Sequence, residues 1–174
     1  MSASEPNETR YIPFQGVRVR YDSAKSYDEL LAALLADIGE LPVPVNDFAL
    51  ATDDWQSYQQ MVEPHVGPSG FMLFGQFDHG AWIPKAGIDR KVMRVVLGNP
   101  LIAITMLRHD VSAGLFAPVE VLLADERDDR SSLTYVKPSS LMVLERDPEH
   151  NPELLSAATE LDTKLAALAA KVTA

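Results

Sequence analysis

The stretch from Val95 to Asp125 constrains the fold of this 174-residue chain more than any other part of it. It reads VVLGNPLIAITMLRHDVSAGLFAPVEVLLAD, which places apolar runs rich in valine and leucine on both sides of a short helical segment. Asn99 is a good helix N-cap, and Pro100 suits the first helical position because its missing N–H needs no partner there. The sequence therefore predicts, in order, strand Val92–Leu97, helix Leu101–Arg108, a turn at Gly114 and strand Val119–Ala124.

Three more runs have the pattern of strands. Gly16–Asp22 alternates, with valines and a tyrosine on one face and two arginines on the other, which is typical of a half-buried strand. Phe71–Phe77 is apolar on both faces, which predicts a buried strand with a covered second face. Leu133–Lys137 follows a charged turn and is predicted to return as a hairpin partner of the strand before it.

Two helices frame these strands. Ser26 and Glu29 form a capping box at the start of a helix that Gly39 ends, with a leucine-rich stripe between them. A stripe of leucine and alanine after Asn151-Pro152 predicts a long amphipathic helix at the C-terminus. The resulting order (β, α, short α, β, β, α, β, β, α) predicts an α+β protein, with a mixed or antiparallel sheet and helices packed on one face.

The remaining segments define the domain organisation. Residues 1–12 lack hydrophobic periodicity and are expected to form a flexible tail, whereas residues 13–174 are expected to form one domain. Residues 41–70 are a proline-rich insert within that domain. We expect this insert to be extended at Leu41–Val45 and to contain one short helix that Pro64 ends.

Composition excludes several classes of function. The formal charge of −10 disfavours nucleic acid as a partner, since an acidic chain repels phosphate backbones. The absence of cysteine excludes disulfides, thiolate nucleophiles and cysteine-ligated metal sites. The polar N-terminus lacks the apolar segment of a secretory signal, and no run reaches the roughly 18 apolar residues that span a bilayer. We therefore expect a cytoplasmic protein with no membrane partner.

Several short motifs point to a family. They are Phe77-Asp78-His79, Ala86-Gly87-Ile88, Leu97-Gly98-Asn99-Pro100, the Ala113-Gly114-Leu115 turn before Pro118, Tyr135-Val136-Lys137-Pro138, and the helix start Asn151-Pro152-Glu153-Leu154. With these motifs, the chain resembles the uncharacterised prokaryotic family called domain of unknown function 302. It departs from the family pattern at Ala117, where leucine is usual before the proline. The resemblance implies an α+β domain related to the TATA-binding-protein-like and helix-grip folds, often dimeric and with no established activity. It also marks His79, Asn99 and Tyr135 as the polar positions that match the family's motif.

The same polar residues are candidates for chemistry. Asp78 and His79 lie at the end of a buried strand, where His79 can act as a general base or ligand donor, or simply complete a turn. Asn99 begins a helix whose free N–H groups favour an anion, although capping alone also explains it. Tyr135 and Lys137 share one face of a strand and can reach a carboxylate together, or form an ordinary exposed pair. The histidines show no metal-ligand spacing, so neither a metal nor a cofactor is predicted.

Three functions remain open on these grounds. The preferred one is a non-catalytic homodimer that binds a small molecule, with anions among the candidates, in a cleft between the sheet and the long helix. The residues expected to bind are His79, Asn99, Tyr135, Lys137 and Asp78. The first alternative is a small hydrolase or isomerase that uses His79 with Asn99 or Tyr135, which requires these side chains to converge in one pocket. The second is a protein-interaction domain that uses the insert as its contact surface.

Overall fold

The computed structural model describes residues 9–144 and 151–174. The first eight residues of the expected tail and His150 lie outside these ranges. Residues 9–17 have no regular secondary structure, and the first strand begins at Arg18.

Among the described residues, five strands form one sheet. They are β1 (Arg18–Ser23), β2 (Met72–Asp78), β3 (Val92–Gly98), β4 (Val119–Asp125) and β5 (Ser131–Val136). Their order across the sheet is β1-β5-β4-β3-β2, and every neighbouring pair is antiparallel. The α+β class is confirmed. The prediction allowed a mixed or an antiparallel sheet, and the sheet is antiparallel. The relation to the TATA-binding-protein-like and helix-grip folds stays a prediction.

In the part of the chain that the structure describes, six α-helices connect or flank the strands: α1 (Tyr27–Ile38), α2 (Val45–Leu50), α3 (Trp55–Val62), α4 (Pro100–Leu107), α5 (Pro138–Met142) and α6 (Pro152–Thr173). Short 3₁₀ turns lie at Glu63–His65, His79–Ala81, Ile83–Ala86, Val111–Leu115 and Arg127–Asp129. The capping box of α1 is present, and Asn99 caps α4.

Two of these helices, α2 and α5, differ from the prediction. Val45, expected to be extended, is the first residue of α2, whose N-cap is Pro44. Lys137, expected to end a strand, is instead the N-cap of α5, and Pro138 takes the first helical position. A proline breaks a helix when it lies in the interior. It is equally well suited to the start of a helix, because its φ is already helical.

The helices α1 and α6 pack against one face of the sheet. This inner face carries the apolar core, in which Leu123, Leu133 and Leu165 are almost completely buried. We call the opposite side of the sheet the outer face. It has a continuous cross-strand row formed by the paired residues Arg20, Thr134, Leu122, Arg94 and Phe77. Phe77 is 53% exposed and Leu122 is 39% exposed.

The insert is attached to the domain at its two ends. The amide of Val43 donates to the carbonyl oxygen of Leu73 at 2.9 Å, and the amide of Gly67 donates to that of Phe71 at 2.9 Å. Between these points, only Val62 of the α2 and α3 segments is buried. The helices of the insert therefore lie on the surface and leave several large side chains half exposed.

Candidate functional site

The structure does not bring His79 and Asn99 together. His79 follows the last residue of β2, and Asn99 follows the last residue of β3. Because the two strands are antiparallel and each has seven residues, these positions lie at opposite ends of the hairpin, roughly 20 Å apart. Tyr135 lies on β5, three strands from β2, or about 14 Å at the usual strand spacing. The catalytic set of a hydrolase or isomerase built on these three residues is not formed.

His79 and Asp78 belong to a turn. The carboxylate of Asp78 accepts a hydrogen bond from the amide of Ala81 at 3.1 Å, which caps the 3₁₀ turn after β2. The ring of His79 packs edge-on against Trp82, with ring centroids 5.9 Å apart. The local arrangement thus matches the simpler of the two interpretations of this motif, that of a strand-end turn.

Asn99 combines capping with a position on a cavity wall. Its Oδ1 accepts from the amide of Leu101 at 2.9 Å, and its Nδ2 donates to the carbonyl oxygen of Gly70 at 3.0 Å. The residue is buried and lines a cavity of about 370 Å³ between α4, the insert and the first residues of β2. Its two hydrogen bonds join the start of α4 to the end of the insert.

Lys137 reaches a carboxylate that the protein itself supplies, whereas Tyr135 packs beside a second tyrosine. The Nζ of Lys137 lies 3.7 Å from Oδ2 of Asp162 on α6. Tyr135 is buried, and its ring stacks on that of Tyr21 with centroids 6.3 Å apart. Burial, the neighbouring Tyr21 and the charge of Asp162 raise the pKa of the Tyr135 hydroxyl. This cluster ties β5 to α6.

Asp162 was not predicted as a functional or structural partner, although a signal was present. It is a buried acid, adjacent to Leu161 in the apolar stripe of α6. Its Oδ1 accepts from the amide of Ser139 at 2.9 Å, in the first turn of α5. A carboxylate at that end of a helix is favoured by the helix dipole. An acidic residue on the apolar face of an amphipathic helix is therefore a clue to an internal partner.

The outer face of the sheet contains a second cavity, of about 530 Å³. Its floor is formed by Thr134, Leu122 and Val136, and apolar walls come from the turn after α4 and from α5. Three arginines line it: Arg18 and Arg20 of β1 and Arg94 of β3. The alternating sequence of β1 places Arg18 and Arg20 on the same face of the strand. No pattern in the neighbouring sequence connects them to Arg94.

The three arginines differ in their partners. The guanidinium of Arg94 is held by the carboxylate of Glu120 through two hydrogen bonds, and it lies 5.5 Å from the centroid of the Phe77 ring. Arg20 forms ion pairs with Asp22 at 2.8 Å and with Glu126 at 2.9 Å.

Arg18 differs, because it forms no ion pair within the described part of the chain. Its side chain is exposed at the cavity. Arg18 therefore brings to this cavity a positive charge that no described carboxylate neutralises.

Residues 9–144 and 151–174 contain neither a metal-binding cluster nor a helix suited to span a bilayer. Within these ranges, no three His, Asp or Glu side chains are grouped so that they could hold a metal ion. None of the helices described there has both the length and the apolar character needed to cross a bilayer.

Comparisons with known proteins give a family and a fold. The model of the family described as "Domain of unknown function DUF302" matches residues 48–172, which confirms the resemblance seen in the motifs. No curated protein matches the chain. Among solved structures, the chain is similar to an uncharacterised conserved DUF302 protein from Bacillus stearothermophilus, with a TM-score of 0.60 and 16% sequence identity. That likeness covers 89% of this chain and 97% of the other, and it indicates no specific function.

Proposed function

Because the chain belongs to the DUF302 family, whose description is a domain of unknown function, we propose its function from the geometry of the outer face. The protein is a homodimeric binding protein for a small amphipathic anion. The observation that carries this proposal is the cavity of about 530 Å³ with three arginines beside an apolar floor and walls. We place the protein in the cytoplasm, in keeping with its lack of cysteine.

The chemistry of the cavity favours an anion with an apolar body. Guanidinium groups bind carboxylate and phosphate oxygens through paired hydrogen bonds. Arg94 and Arg20 are already held by carboxylates, so Arg18 is the one most open to a ligand. Leu122 and Val136 on the floor can contact an alkyl chain or a ring. The volume lies within the range of roughly 300–1,000 Å³ that is usual for small-molecule sites.

The partly apolar outer face supports the dimer in this proposal. Phe77, Leu122 and Val136 are exposed there, as in surfaces that serve for association. A two-fold contact through this face would enclose the cavity and remove it from water. It would also bring the arginines of the two copies near one another, and a bound anion would reduce their repulsion. Ligand binding and dimerisation are therefore expected to strengthen each other.

Isothermal titration calorimetry tests the ligand proposal. The titrants are sodium hexanoate, sodium benzoate and hexyl phosphate, and neutral hexanol is the comparison. We expect the anions to bind and hexanol to bind at least tenfold more weakly. Arg18→Ala should weaken anion binding by about tenfold or more, since a hydrogen bond to a charged group contributes about 1.5–3 kcal/mol. Arg127→Ala, which removes the same charge from an exposed turn, is the matched control and should change affinity less than twofold. Equal losses in the two variants would contradict the proposed site.

Sedimentation velocity at micromolar concentration tests the dimer. Leu122→Glu places a charge at the centre of the outer face and is expected to yield monomers. Leu155→Glu on α6 is the matched control, because Leu155 is 37% exposed and Leu122 39% exposed. The control should sediment like the wild type. A monomeric wild type in the presence of saturating anion would refute the dimer and leave the ligand proposal to the titration.

A further inference from the structure

The helix α4 has an unusual composition for a helix on the surface. Its sequence is PLIAITML, in which Thr105 is the single polar residue. A helix that is apolar all round is normally buried on all sides. Here only Met106 is buried, and the other apolar side chains of α4 are partly exposed. The incompletely covered side of α4 lines the cavity of about 370 Å³.

Aromatic residues form the opposite sides of this cavity. Trp55 and Tyr58 of α3 stand as a pair, with ring centroids 5.8 Å apart. Phe71, directly before β2, and Phe74 in β2 add two more rings. Among the described residues that line it there is no Asp, Glu, Lys, Arg or His. This lack of charge sets it apart from the cavity on the outer face.

We infer that the cavity between α4 and the insert is a separate binding site for a neutral, mainly apolar molecule that contains one or two rings. Its volume of about 370 Å³ lies at the lower end of the range for small-molecule sites. A charged ligand would lose its hydration there without gaining an opposite charge. Aromatic rings are favoured because they stack on Trp55 and on the phenylalanines in offset or edge-on geometry.

Polar atoms at this site limit the ligand to one or two hydrogen bonds. Asn46 on α2 and Tyr58 on α3 both line the cavity. Burial raises the pKa of Tyr58, so its hydroxyl keeps its proton and can donate. Asn99, by contrast, already uses its amide to hold Leu101 and Gly70. Its role here is to hold the wall in place.

The two cavities are distinct. Of the described residues that line them, they share Pro118 and Val119 alone, so they lie on either side of the start of β4. The inference about the neutral site therefore does not depend on the anion site or on the dimer. The neutral-site inference and the anion-site proposal can therefore fail independently.

The test uses N-phenyl-1-naphthylamine, a neutral fluorescent probe whose emission rises in apolar surroundings. In full-length protein carrying Trp82→Phe, Trp55 is the sole tryptophan. We expect saturable binding of one probe per chain, a rise in probe emission and quenching of Trp55. Arg18→Ala is added to this protein for the comparison with the anionic 1-anilinonaphthalene-8-sulfonate, because that probe is itself an amphipathic anion suited to the cavity on the outer face. In this background the anionic probe should bind at least tenfold more weakly than the neutral one. Equal affinity for the charged and neutral probes would overturn the assignment of a neutral ligand.

Variants locate the probe. Ala103→Phe fills the cavity from α4 and should weaken binding at least tenfold, whereas Ala167→Phe, at an exposed position of α6, should not change it. Trp55→Ala serves if Ala103→Phe does not fold, because Trp55 is 46% exposed and its loss leaves the core intact. Like Ala103→Phe, it should weaken probe binding at least tenfold, as measured by the probe emission.

The remaining outcomes separate this site from its alternatives. Arg18→Ala should bind the probe like the wild type, since that residue lines the other cavity. Unchanged binding in both cavity variants would overturn the inference. So would a loss of probe binding as the protein concentration rises, since that result would identify a second copy of the chain as the occupant.

Discussion

Asp37 holds three parts of the chain together from a position with almost no contact with solvent. Its side chain is 2% exposed, and its Oδ2 accepts from Nζ of Lys171 on α6 at 2.6 Å. The same carboxylate accepts from the amide of Ser69 at 3.2 Å and from the Ser69 hydroxyl at 2.8 Å. It thereby joins α1 to α6 and to the end of the insert. Asp37→Ala removes all three hydrogen bonds in one step.

The expected cost follows from these contacts. Hydrogen bonds to a charged group contribute about 1.5–3 kcal/mol, and the half-buried Ser69 amide loses its partner. The Lys171 side chain is 56% exposed and returns to water, so its ion pair adds about 1 kcal/mol or less. We expect Asp37→Ala to lower the free energy of unfolding by about 3 kcal/mol in total. For a chain of this length that corresponds to a fall in Tm of about 6–12 °C.

Guanidinium denaturation and a thermal melt followed by circular dichroism measure this effect. Lys171→Met is the matched control and should cost less than Asp37→Ala, because the buried carboxylate loses its cation but keeps both bonds to Ser69. Limited proteolysis adds a local readout, since Asp37→Ala should speed cleavage within residues 41–70 more than the control does. A loss below about 1 kcal/mol for Asp37→Ala, or equal losses in the two variants, would refute the reasoning.

Two further predictions concern packing and pH. Gly67→Ala should prevent folding or cost more than about 3 kcal/mol in chemical denaturation, because an added Cβ would lie 1.9 Å from the carbonyl oxygen of Asp37. A variant as stable as the wild type would contradict that contact. The hydrogen bond from Ser132 lowers the pKa of Glu126 below its usual 4.5, so the stability it contributes is present above pH 4.5 and is lost as the pH falls through its lower folded pKa. Glu126→Gln should therefore flatten the loss of Tm below pH 4.5, and Glu160→Gln, an exposed control, should not; equal acid profiles would refute this.

Features that depend on neighbours along the chain were predictable from the sequence. The capping box at Ser26 and the caps at Asn99 and Asn151 all form as expected, because a side chain and an amide two or three residues away meet in any helix start. Hydrophobic periodicity located the five strands for a similar reason. Even the two helices that were not predicted, α2 and α5, begin at or directly after a proline.

The candidate sites could not be predicted in the same way. The sequence pattern indicated His79, Asn99 and Tyr135 as polar residues near strand ends that would share a pocket. Which ends of two strands lie together depends on whether the strands run parallel or antiparallel, and the antiparallel β2–β3 pair separates His79 from Asn99. Tyr135 lies within the influence of the Asp162 carboxylate on α6, a partner far away in sequence.

The sequence by itself determined the five strands, four of the six described α-helices, the α+β class and the face of β1 on which its arginines lie. Only the tertiary structure decided what those arginines meet. The strand order places β1 beside β5, and the register then aligns Arg20 with Thr134, Leu122 and Arg94 across four strands. The physical reason is that caps and periodicity act over a few residues, whereas strand order and register depend on contacts between residues that are distant in the chain.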